Sequence, residues 1–326
     1  MKKSLIHIFA AILPLASLAQ SHFVTDTPMV HDPVMAEEGG KYYMMSTGRG
    51  LQMAESDDRK TWRVWRHVPL LTEIPAWTHD SVPGFRDHVW APDIIRWRDR
   101  WWMAYSCSRF GKNTSAIGLV SSDSLHPLSA EGKNMIRWRD EGPLVCSKGK
   151  RDNWNAIDPN FVIGEDGMPW LAFGSFWDGI QLVRLDSTMH IARPSNQRTV
   201  ARRVTGGREN PVEAPFIFRH DGWFYLFVSW DYCCRGMEST YKVVVGRSRS
   251  VAGPYLDRNG RDMAEGGGTP VIEGDKRQYE AAGHSAAYRF GDEDIFICHG
   301  YSIAHNGASV LVQRKIRWTE DGWPEV

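Results

Sequence analysis

The sequence predicts an all-β protein folded as a five-bladed β-propeller. One short unit recurs five times, and in or just after each copy two apolar runs flank a polar turn. The copies follow one another at 55 to 71 residues, counted between the polar residues that mark them. Several short strands per copy at such a period are typical of propeller blades. The marking residues are Asp32, Asp93, Asp158, Glu213 and His284, within the segments His31-Asp32-Pro33, Trp90-Ala91-Pro92-Asp93, Ile157-Asp158-Pro159, Glu213-Ala214-Pro215 and Gly283-His284-Ser285.

The second apolar run of each unit is its clearest strand, because turn residues such as those at 38–40 precede it. We expect the first blade to run from Met29 to about Leu71, after a short lead over residues 21–28. No long amphipathic helix and no long Gly/Ser-rich linker interrupts the pattern, so one domain is predicted. The five second runs are Lys41 to Ser46, Trp101 to Ser106, Pro169 to Gly174, Gly222 to Ser229 and Asp294 to His299.

Composition narrows the class of ligand. The 326 residues include 39 basic and 39 acidic side chains, so the formal charge is zero and nothing marks a surface for nucleic acid or an anionic membrane. A neutral or locally recognised ligand is favoured. The 15 tryptophans occur in clusters along the strands, where packing between blades explains most of them.

The N-terminus predicts a secretory signal. Lys2 and Lys3 precede an apolar stretch from Leu5 to Leu18, and the small residues Ser17 and Ala19 form a cleavage pattern. We therefore divide the chain into a signal peptide (1–19) and a catalytic propeller domain (20–326). The mature protein is expected to be exported, periplasmic or extracellular, without a membrane span.

Five cysteines are an odd number, so a complete set of intrachain disulfides is excluded. Adjacent Cys233 and Cys234 are poorly placed to bridge each other and lack the C-x-x-C spacing of a metal site. The sequence therefore predicts no disulfide framework and a tightly packed loop at this pair.

Ring symmetry would gather the marking residues around one axis, because each stands at the start of the same strand of its blade. Asp32, Asp158 and Glu213 are then candidates for one polar site, whereas the Trp-Ala-Pro lead displaces Asp93 and suggests that it fastens its blade. Acidic residues beside proline commonly cap turns. Three of them in phase with the repeat favour a functional role instead.

Further motifs give the chain a family resemblance. Together with the five marked segments they resemble the five-bladed glycoside hydrolases of family 43, and in particular its arabinanases, which cleave α-1,5-linked L-arabinan. The resemblance covers nearly all of the mature chain. The additional stretches are residues 110–118 (Phe-Gly-Lys-Asn-Thr-Ser-Ala-Ile-Gly), 174–177 (Gly-Ser-Phe-Trp), 231–236 (Asp-Tyr-Cys-Cys-Arg-Gly), 239–241 (Ser-Thr-Tyr) and 245–248 (Val-Gly-Arg-Ser).

Glycoside hydrolysis needs one carboxylic acid to protonate the leaving oxygen and one carboxylate to activate water or attack the sugar. The spacing alone does not rank the three candidates. The resemblance implies that Asp32 is the general base and Glu213 the general acid, and that Asp158 orients Glu213 and raises its pKa through like charge. It also implies inversion, for which the carboxyls of Asp32 and Glu213 lie about 6.5 to 9.5 Å apart.

Sugar rings stack their CH faces on aromatic side chains, so a polysaccharide groove needs aromatic residues in its wall. Six residues in loops beside the marking residues are candidates for contacts with the substrate. The alternative for the two tryptophans is packing at the channel mouth, and the alternative for the arginine is a structural role within its own loop. The candidates are Trp90, Phe110, Trp154, Asn155, Ser175 and Arg235.

His284 stands where the fifth blade presents its axial residue. A single histidine is ordinarily a hydrogen-bonded core residue. The resemblance implies that it helps to hold a cation, commonly calcium, largely through water, although imidazole is an unusual ligand for a hard cation.

The sequence thus predicts an exported, inverting glycoside hydrolase that acts on arabinan or arabino-oligosaccharides, with calcium as a structural ion and a monomeric state. An α-L-arabinofuranosidase or a β-xylosidase of the same fold is the nearest alternative. A propeller that binds sugar without catalysis is a third hypothesis, since one fold serves many functions.

Overall fold

The computed structural model describes residues 22–65, 69–126, 136–207 and 209–326. The predicted signal peptide (1–19) lies outside the described residues. Strands dominate, and five sheets of three to five strands follow one another along the chain. Among the described residues, no helix is long and apolar enough to cross a membrane.

The first blade has an outermost strand that precedes the repeat. The strands of this region are β1 (His22–Thr25), β2 (Val34–Glu38), β3 (Lys41–Ser46), β4 (Gly48–Arg49), β5 (Gln52–Ser56) and β6 (Trp62–Trp65). Their order is β1-β6-β5-β3-β2, and β4 pairs with the second blade instead. The described part of the predicted lead, residues 22–28, is therefore more than a lead, because β1 pairs with β6 from His22↔Trp65 to Thr25↔Trp62.

The second blade carries the longest strands of the first half. Before it, the described residues contain one five-residue α-helix. The elements are α1 (Trp77–Ser81), β7 (His88–Trp97), β8 (Arg100–Cys107), β9 (Ser115–Ser122) and β10 (Arg139–Ser147). The order is β10-β9-β8-β7-β4, and β8 and β9 are almost entirely buried.

The third and fourth blades are four-stranded antiparallel sheets in sequence order. Their strands are β11 (Asn160–Ile163), β12 (Pro169–Phe173), β13 (Ile180–Arg184), β14 (Arg198–Ala201), β15 (Val212–His220), β16 (Trp223–Trp230), β17 (Lys242–Ser248) and β18 (Thr269–Ile272). Two short 3₁₀ helices, at Gly236–Glu238 and Met263–Glu265, lie in the loops that flank β17 and β18.

The fifth blade is completed by the beginning of the chain. Its own strands are β19 (Tyr279–Phe290), β20 (Glu293–Ser302) and β21 (Ala308–Lys315), followed by the small hairpin β22 (Arg317–Trp318) and β23 (Pro324–Glu325). Met29 forms a bridge with Val310, and the Val30 N–H donates to the Ser309 carbonyl at 3.1 Å. Met29 therefore belongs to the last blade and not to the first, and this pairing closes the propeller.

The innermost strands form a ring. β2 contacts β7, β7 contacts β11, β11 contacts β15, β15 contacts β19, and β19 contacts β2. All five predicted second runs are strands, namely β3, β8, β12, β16 and β20. The buried apolar side chains lie between adjacent sheets, as in the pair Phe227 and Phe296 of the fourth and fifth blades. The repeat thus places the first residues of each blade around one central axis.

Candidate active site

Each blade enters its innermost strand through one non-glycine residue with a left-handed backbone. These residues have φ between 42° and 56°, a region that side chains with a β-carbon rarely adopt and that marks stored strain. They are Asp32, Ala91, Asp158, Ala214 and His284. The structure therefore corrects two of the marking residues, because Ala91 is the equivalent of Asp32 in the second blade and Glu213 lies one residue before the equivalent position in the fourth.

A ring of hydrogen bonds fixes these five turns. In each case a polar residue at or near the end of one blade's second strand bonds to the turn of the next blade. In four of these links the polar residue accepts a hydrogen bond from the backbone N–H of the turn, and in the fifth it donates a hydrogen bond to a side chain. The bonds, donor first, are Ala91 N to Thr47 Oγ1 (2.8 Å), Asp158 N to Ser106 Oγ (3.0 Å), Ser175 Oγ to Glu213 Oε2 (2.8 Å), His284 N to Ser229 Oγ (2.8 Å) and Asp32 N to His299 Nδ1 (3.1 Å). Each turn is thereby positioned by the preceding blade.

Asp32 has partners on both carboxylate oxygens. Its Oδ1 lies 2.9 Å from His284 Nδ1 and 3.5 Å from His31 Nε2. Its Oδ2 accepts a hydrogen bond from Thr47 Oγ1 at 2.5 Å. The fifth blade, through His284, and the first blade itself, through Thr47, therefore orient this carboxylate, which is 7% exposed.

Electrostatics keep Asp32 ionised. Burial alone would raise the pKa of this carboxyl, but the charges of His284 and His31 and the hydrogen bond from His284 lower it well below its ordinary value. The same attraction acts on the partners. Burial disfavours a charged His284, yet Asp32 raises the pKa of the His284 imidazole above 6.5. Asp32 is therefore ionised at neutral pH, which is the state that a general base requires.

Asp158 and Glu213 form the second part of the site. Burial first, and then the like charges of Glu213 and Asp32, raise the pKa of Asp158 well above its ordinary value against the charge of His284. Asp158 Oδ2 accepts a hydrogen bond from the N–H of Ala214, the neighbour of Glu213, at 3.2 Å. Asp158 therefore keeps its proton at a pH where an isolated carboxyl group would lose it.

All three carboxyl residues and His284 line one cavity of about 830 Å³. Five of the six predicted substrate contacts line it too: Trp90, Phe110, Asn155, Ser175 and Arg235. Trp154 does not, because its ring packs edge-on against Phe173, with centroids 5.5 Å apart. The structure thus places Trp154 with the packing residues at the channel mouth.

The wall includes aromatic residues that the sequence did not single out. Phe176 and Trp177 have left-handed backbones, with φ of 55° and 39°, which turn them into the cavity after Ser175. Tyr232, in the loop after β16, lies beside Phe176 with ring centroids 6.0 Å apart, and the guanidinium of Arg235 lies over the Tyr232 ring at 4.1 Å. The motif Gly-Ser-Phe-Trp was the available signal for the first two.

Asp93 lies away from this cavity lining. It is 2% exposed and its Oδ2 accepts hydrogen bonds from Phe161 N at 2.6 Å and from Asn160 Nδ2 at 3.3 Å. Burial raises its pKa to about 7 in spite of these bonds. Asp93 therefore joins the second blade to the third, in agreement with the fastening role expected for it.

Comparison with known proteins assigns the family. The pattern of glycosyl hydrolases family 43 matches residues 27–324, nearly the whole described chain. The chain belongs to glycoside hydrolase family 43. The resemblance seen in the motifs is confirmed for this family 43 enzyme.

Three relatives of this family 43 enzyme cover it almost fully. An extracellular exo-α-(1→5)-L-arabinofuranosidase of Cellvibrio japonicus is 42% identical over 305 residues, 91% of this chain and 86% of that protein. An extracellular endo-α-(1→5)-L-arabinanase of Bacillus subtilis is 40% identical over 300 residues, 91% and 87% of the two chains. The crystal structure of an exo-1,5-α-L-arabinanase from a bovine ruminal metagenomic library is 51% identical, with a TM-score of 0.86 over 92% of this chain and 97% of that one. The predicted five-bladed propeller is confirmed.

The family 43 enzyme also has a histidine and two thiols in the cavity wall. All five cysteines are free, and Cys234 is exposed although the sequence predicted a tightly packed loop. Its Sγ lies 3.6 Å from His31 Nε2. A hydrogen bond from the Cys233 thiol and the contact with His31 lower the pKa of Cys234 to about 6 against the effect of burial. Burial likewise opposes protonation of His31, but Asp32 and Cys234 raise the pKa of His31 to about 9.

The donor set does not fit a directly ligated calcium ion. Calcium takes six to eight oxygen ligands. The three-donor group that includes a carboxylate among the described residues is His31, Asp32 and His299, which offers one carboxylate and two imidazoles. His284 already contacts Asp32 through Nδ1, so only its Nε2 remains for a cation or for water. Calcium at this position would have to be held largely through its own water shell.

Proposed function

We propose that this protein hydrolyses α-1,5-linked L-arabinan or its oligosaccharides with inversion at the anomeric carbon. The observation that carries the proposal is one cavity lined by three carboxyl groups: Asp32, whose pKa is lowered, Asp158, whose pKa is raised, and Glu213. Acid–base cleavage of a glycosidic bond requires one carboxylate that accepts a proton and a second carboxyl group that donates one. The names of the relatives, which act on α-1,5-L-arabinan, support this sugar.

In the proposed reaction Asp32 takes a proton from water, and the water oxygen attacks the anomeric carbon. Glu213 donates its proton to the leaving glycosidic oxygen as the bond between that oxygen and the anomeric carbon breaks. The cycle ends with Asp32 protonated and Glu213 ionised, and exchange with solvent restores both. We predict a separation of about 6.5 to 9.5 Å between the two carboxyls, which leaves room for the water.

Asp158 acts through Glu213 and not on the sugar. Its hydrogen bond with Ala214 N fixes the turn that carries Glu213. The two carboxyl groups repel each other when both are ionised, and this repulsion adds to burial in raising the pKa of Asp158. Ser175, which donates to Glu213 Oε2, supports the same orientation.

The sugar would lie against the aromatic wall. Phe110 is 80% exposed and Trp177 is 37% exposed, so both offer ring faces to a furanose in the cavity. Arg235, stacked on Tyr232, and the amide of Asn155 supply polar groups for hydroxyls. Asn155 accepts a hydrogen bond from Ser115 Oγ at 2.7 Å, which presets its side chain.

The expected calcium has no step in this reaction. We propose it as a hydrated ion beside His284 Nε2, where its charge would offset the negative carboxyl groups of the cavity. Its contribution would be to the stability of the site.

We also propose that the enzyme is exported and acts as a monomer. The N-terminal sequence pattern and the word "extracellular" in the names of two relatives support export.

Incubation of the purified protein with linear arabinan tests the proposal. We expect soluble arabino-oligosaccharides or arabinose, with the β-anomer appearing first by NMR because inversion converts the α-linkage. A ladder of oligomers identifies endo cleavage, and one short product from the outset identifies exo cleavage. Release of xylose from β-xylosides with no action on arabinan would instead favour the β-xylosidase alternative, and an α-anomer as first product would contradict inversion.

A further inference from the structure

Three soft or borderline metal ligands meet in the cavity wall. The ligand atoms of His31, Cys233 and Cys234 all lie within 4.8 Å of one another, with Cys234 Sγ at 3.6 Å from His31 Nε2. Around a tetrahedral zinc ion, with bonds of about 2.0 to 2.3 Å, neighbouring ligand atoms lie roughly 3.4 to 3.8 Å apart. Small side-chain rotations therefore suffice to bring the three atoms onto one cation.

The backbone explains how adjacent cysteines come to point to one side. Side chains of consecutive residues in an extended chain point in opposite directions. Cys234 has a left-handed φ of 65°, and its N–H donates to the hydroxyl of Tyr301 at 2.6 Å, which holds this turn in place. The strained turn presents both thiols to the cavity, which they line together with His31.

The proposed hydrolysis uses neither thiol. Water attack and leaving-group protonation are complete with Asp32 and Glu213, and thiols are weak hydrogen-bond partners for sugar hydroxyls. Sulfur ligands are also unsuited to calcium, which prefers oxygen, and suited to thiophilic ions. The cluster therefore has a chemistry separate from that of the carboxyl groups and of His284.

We propose that His31, Cys233 and Cys234 form a binding site for a thiophilic divalent cation of the zinc class. Three protein ligands leave a fourth position open, and all three residues line the cavity, so that position is accessible to water or to a sugar hydroxyl. Binding releases the thiol protons and takes the lone pair of His31 Nε2. That nitrogen now lies 3.5 Å from Asp32 Oδ1, so an occupied site changes the charge beside the base.

Inhibition follows from this position, and this consequence rests on the proposed function. Zinc with two thiolates and a neutral imidazole carries no net charge, so the positive charge of the His31 imidazolium next to Asp32 is lost. The metal with its fourth ligand also occupies space where sugar would bind. Zinc or cadmium should therefore inhibit arabinan cleavage reversibly, and a chelator should restore it.

The binding test is spectroscopic and independent of activity. Cadmium or cobalt titrated into the reduced, chelator-treated full chain should produce a thiolate-to-metal charge-transfer band with one ion bound per chain. Cys233→Ser and Cys234→Ser should each weaken binding by more than about tenfold, since even the loss of an outer-shell partner costs that much. Cys146→Ser is the matched control, because its thiol lies outside the cavity, and it should keep the band; thermal melts verify that each variant is folded.

The outcomes separate the two proposals. A missing band in the wild-type chain, or equal cadmium affinity in wild type and Cys234→Ser, overturns the metal site whatever the activity. A band that depends on both cysteines in a chain that leaves arabinan intact supports the site and rejects the proposed function. Zinc inhibition that persists unchanged in Cys234→Ser shows that inhibition comes from elsewhere and contradicts the inferred consequence.

Discussion

The backbone N–H of Asp32 donates a hydrogen bond to Nδ1 of His299, 3.1 Å away, and so joins the first blade to the last. His299 is fully buried, and burial together with the charge of His31 lowers its pKa well below the ordinary value. The ring is therefore neutral. Because Nδ1 accepts, the ring proton lies on Nε2, which is 3.3 Å from the hydroxyl of Tyr301. The contact that closes the ring thus also positions the proposed base.

His299 should matter through its acceptor atom. We expect His299→Leu to lower the free energy of unfolding by about 1 to 3 kcal/mol, because the Asp32 N–H is left buried without a partner. His299→Asn keeps an acceptor near the Nδ1 position and should recover part of the stability and of kcat. Urea unfolding and arabinan kinetics on the two variants provide the measurement. Equal losses in both would show that ring volume, not the hydrogen bond, is what the site needs.

His284 should set the pH at which Asp32 loses its activity as a base. The positive charge of His284 lowers the pKa of Asp32, so His284→Gln should raise that pKa and move the acid limb of the kcat/KM profile to higher pH. Thr47→Val removes a neutral hydrogen bond from the other carboxylate oxygen and should move the limb less. The profile is measured on arabino-oligosaccharides. An acid limb at the wild-type pH in His284→Gln would contradict the assignment.

The contribution of Asp93 to the free energy of unfolding should fall as pH rises. Its pKa is about 7 in the folded chain and near 3.8 when unfolded, so between these values the folded state holds a proton that the unfolded state releases. Stability from this group is complete below pH 3.8 and is lost as pH rises to 7, at up to about 1.4 kcal/mol per pH unit. Asp93→Asn removes this dependence and should gain stability relative to wild type from pH 4 to 7 in urea unfolding.

Asp186→Asn is the contrasting control for this experiment. Burial would raise the pKa of Asp186, but hydrogen bonds from Thr188 lower it below its ordinary value. The contribution of Asp186 to the free energy of unfolding is therefore constant above pH 3.8 and is lost only as pH falls below that value. Its difference from wild type should therefore be flat from pH 4 to 7. A flat difference for Asp93→Asn as well would show that Asp93 is ionised in the folded protein.

The repeat in the sequence was sufficient for the blades but not for the exact position of each axial residue. Proline and acidic residues mark the first and third turns alike, whereas the second and fourth turns use Ala91 and Ala214, which carry no polar signal. In the sequence the second unit is therefore marked by Asp93, although the left-handed turn comes two residues earlier, at Ala91. Only the backbone geometry separates these positions, because a bulge shifts the strand register there.

The closing contacts and part of the cavity wall could likewise not be predicted from the sequence. Met29 and Val310 are 281 positions apart, and no local pattern links them. Trp154 and Trp177 both lie in loops next to strands of the third blade, yet the first packs on Phe173 and the second lines the cavity. A left-handed φ of 39° at Trp177 makes the difference, and amino-acid type does not encode it.

Chelation tests the hydrated cation proposed beside His284. We expect exhaustive treatment with EDTA to lower the melting temperature and the rate of arabinan cleavage, because the carboxyl groups of the cavity lose a compensating charge. Calcium should restore both. His284→Gln should show little response to either treatment, since the imidazole is the proposed contact. Unchanged activity and melting temperature in the wild-type chain after chelation would reject the cation.

Glu213 and Asp32 should respond differently to the leaving group. Glu213→Gln and Asp32→Asn should each reduce kcat on arabinan by about 10²- to 10⁴-fold while binding of oligosaccharide, measured by calorimetry, persists. An aryl arabinoside with an acidic phenol needs no proton on departure, so Glu213→Gln should recover most of its rate on that substrate. Asp32→Asn should stay slow, because the attacking water still needs a base. Recovery of Asp32→Asn, or none of Glu213→Gln, would reverse or reject the two roles.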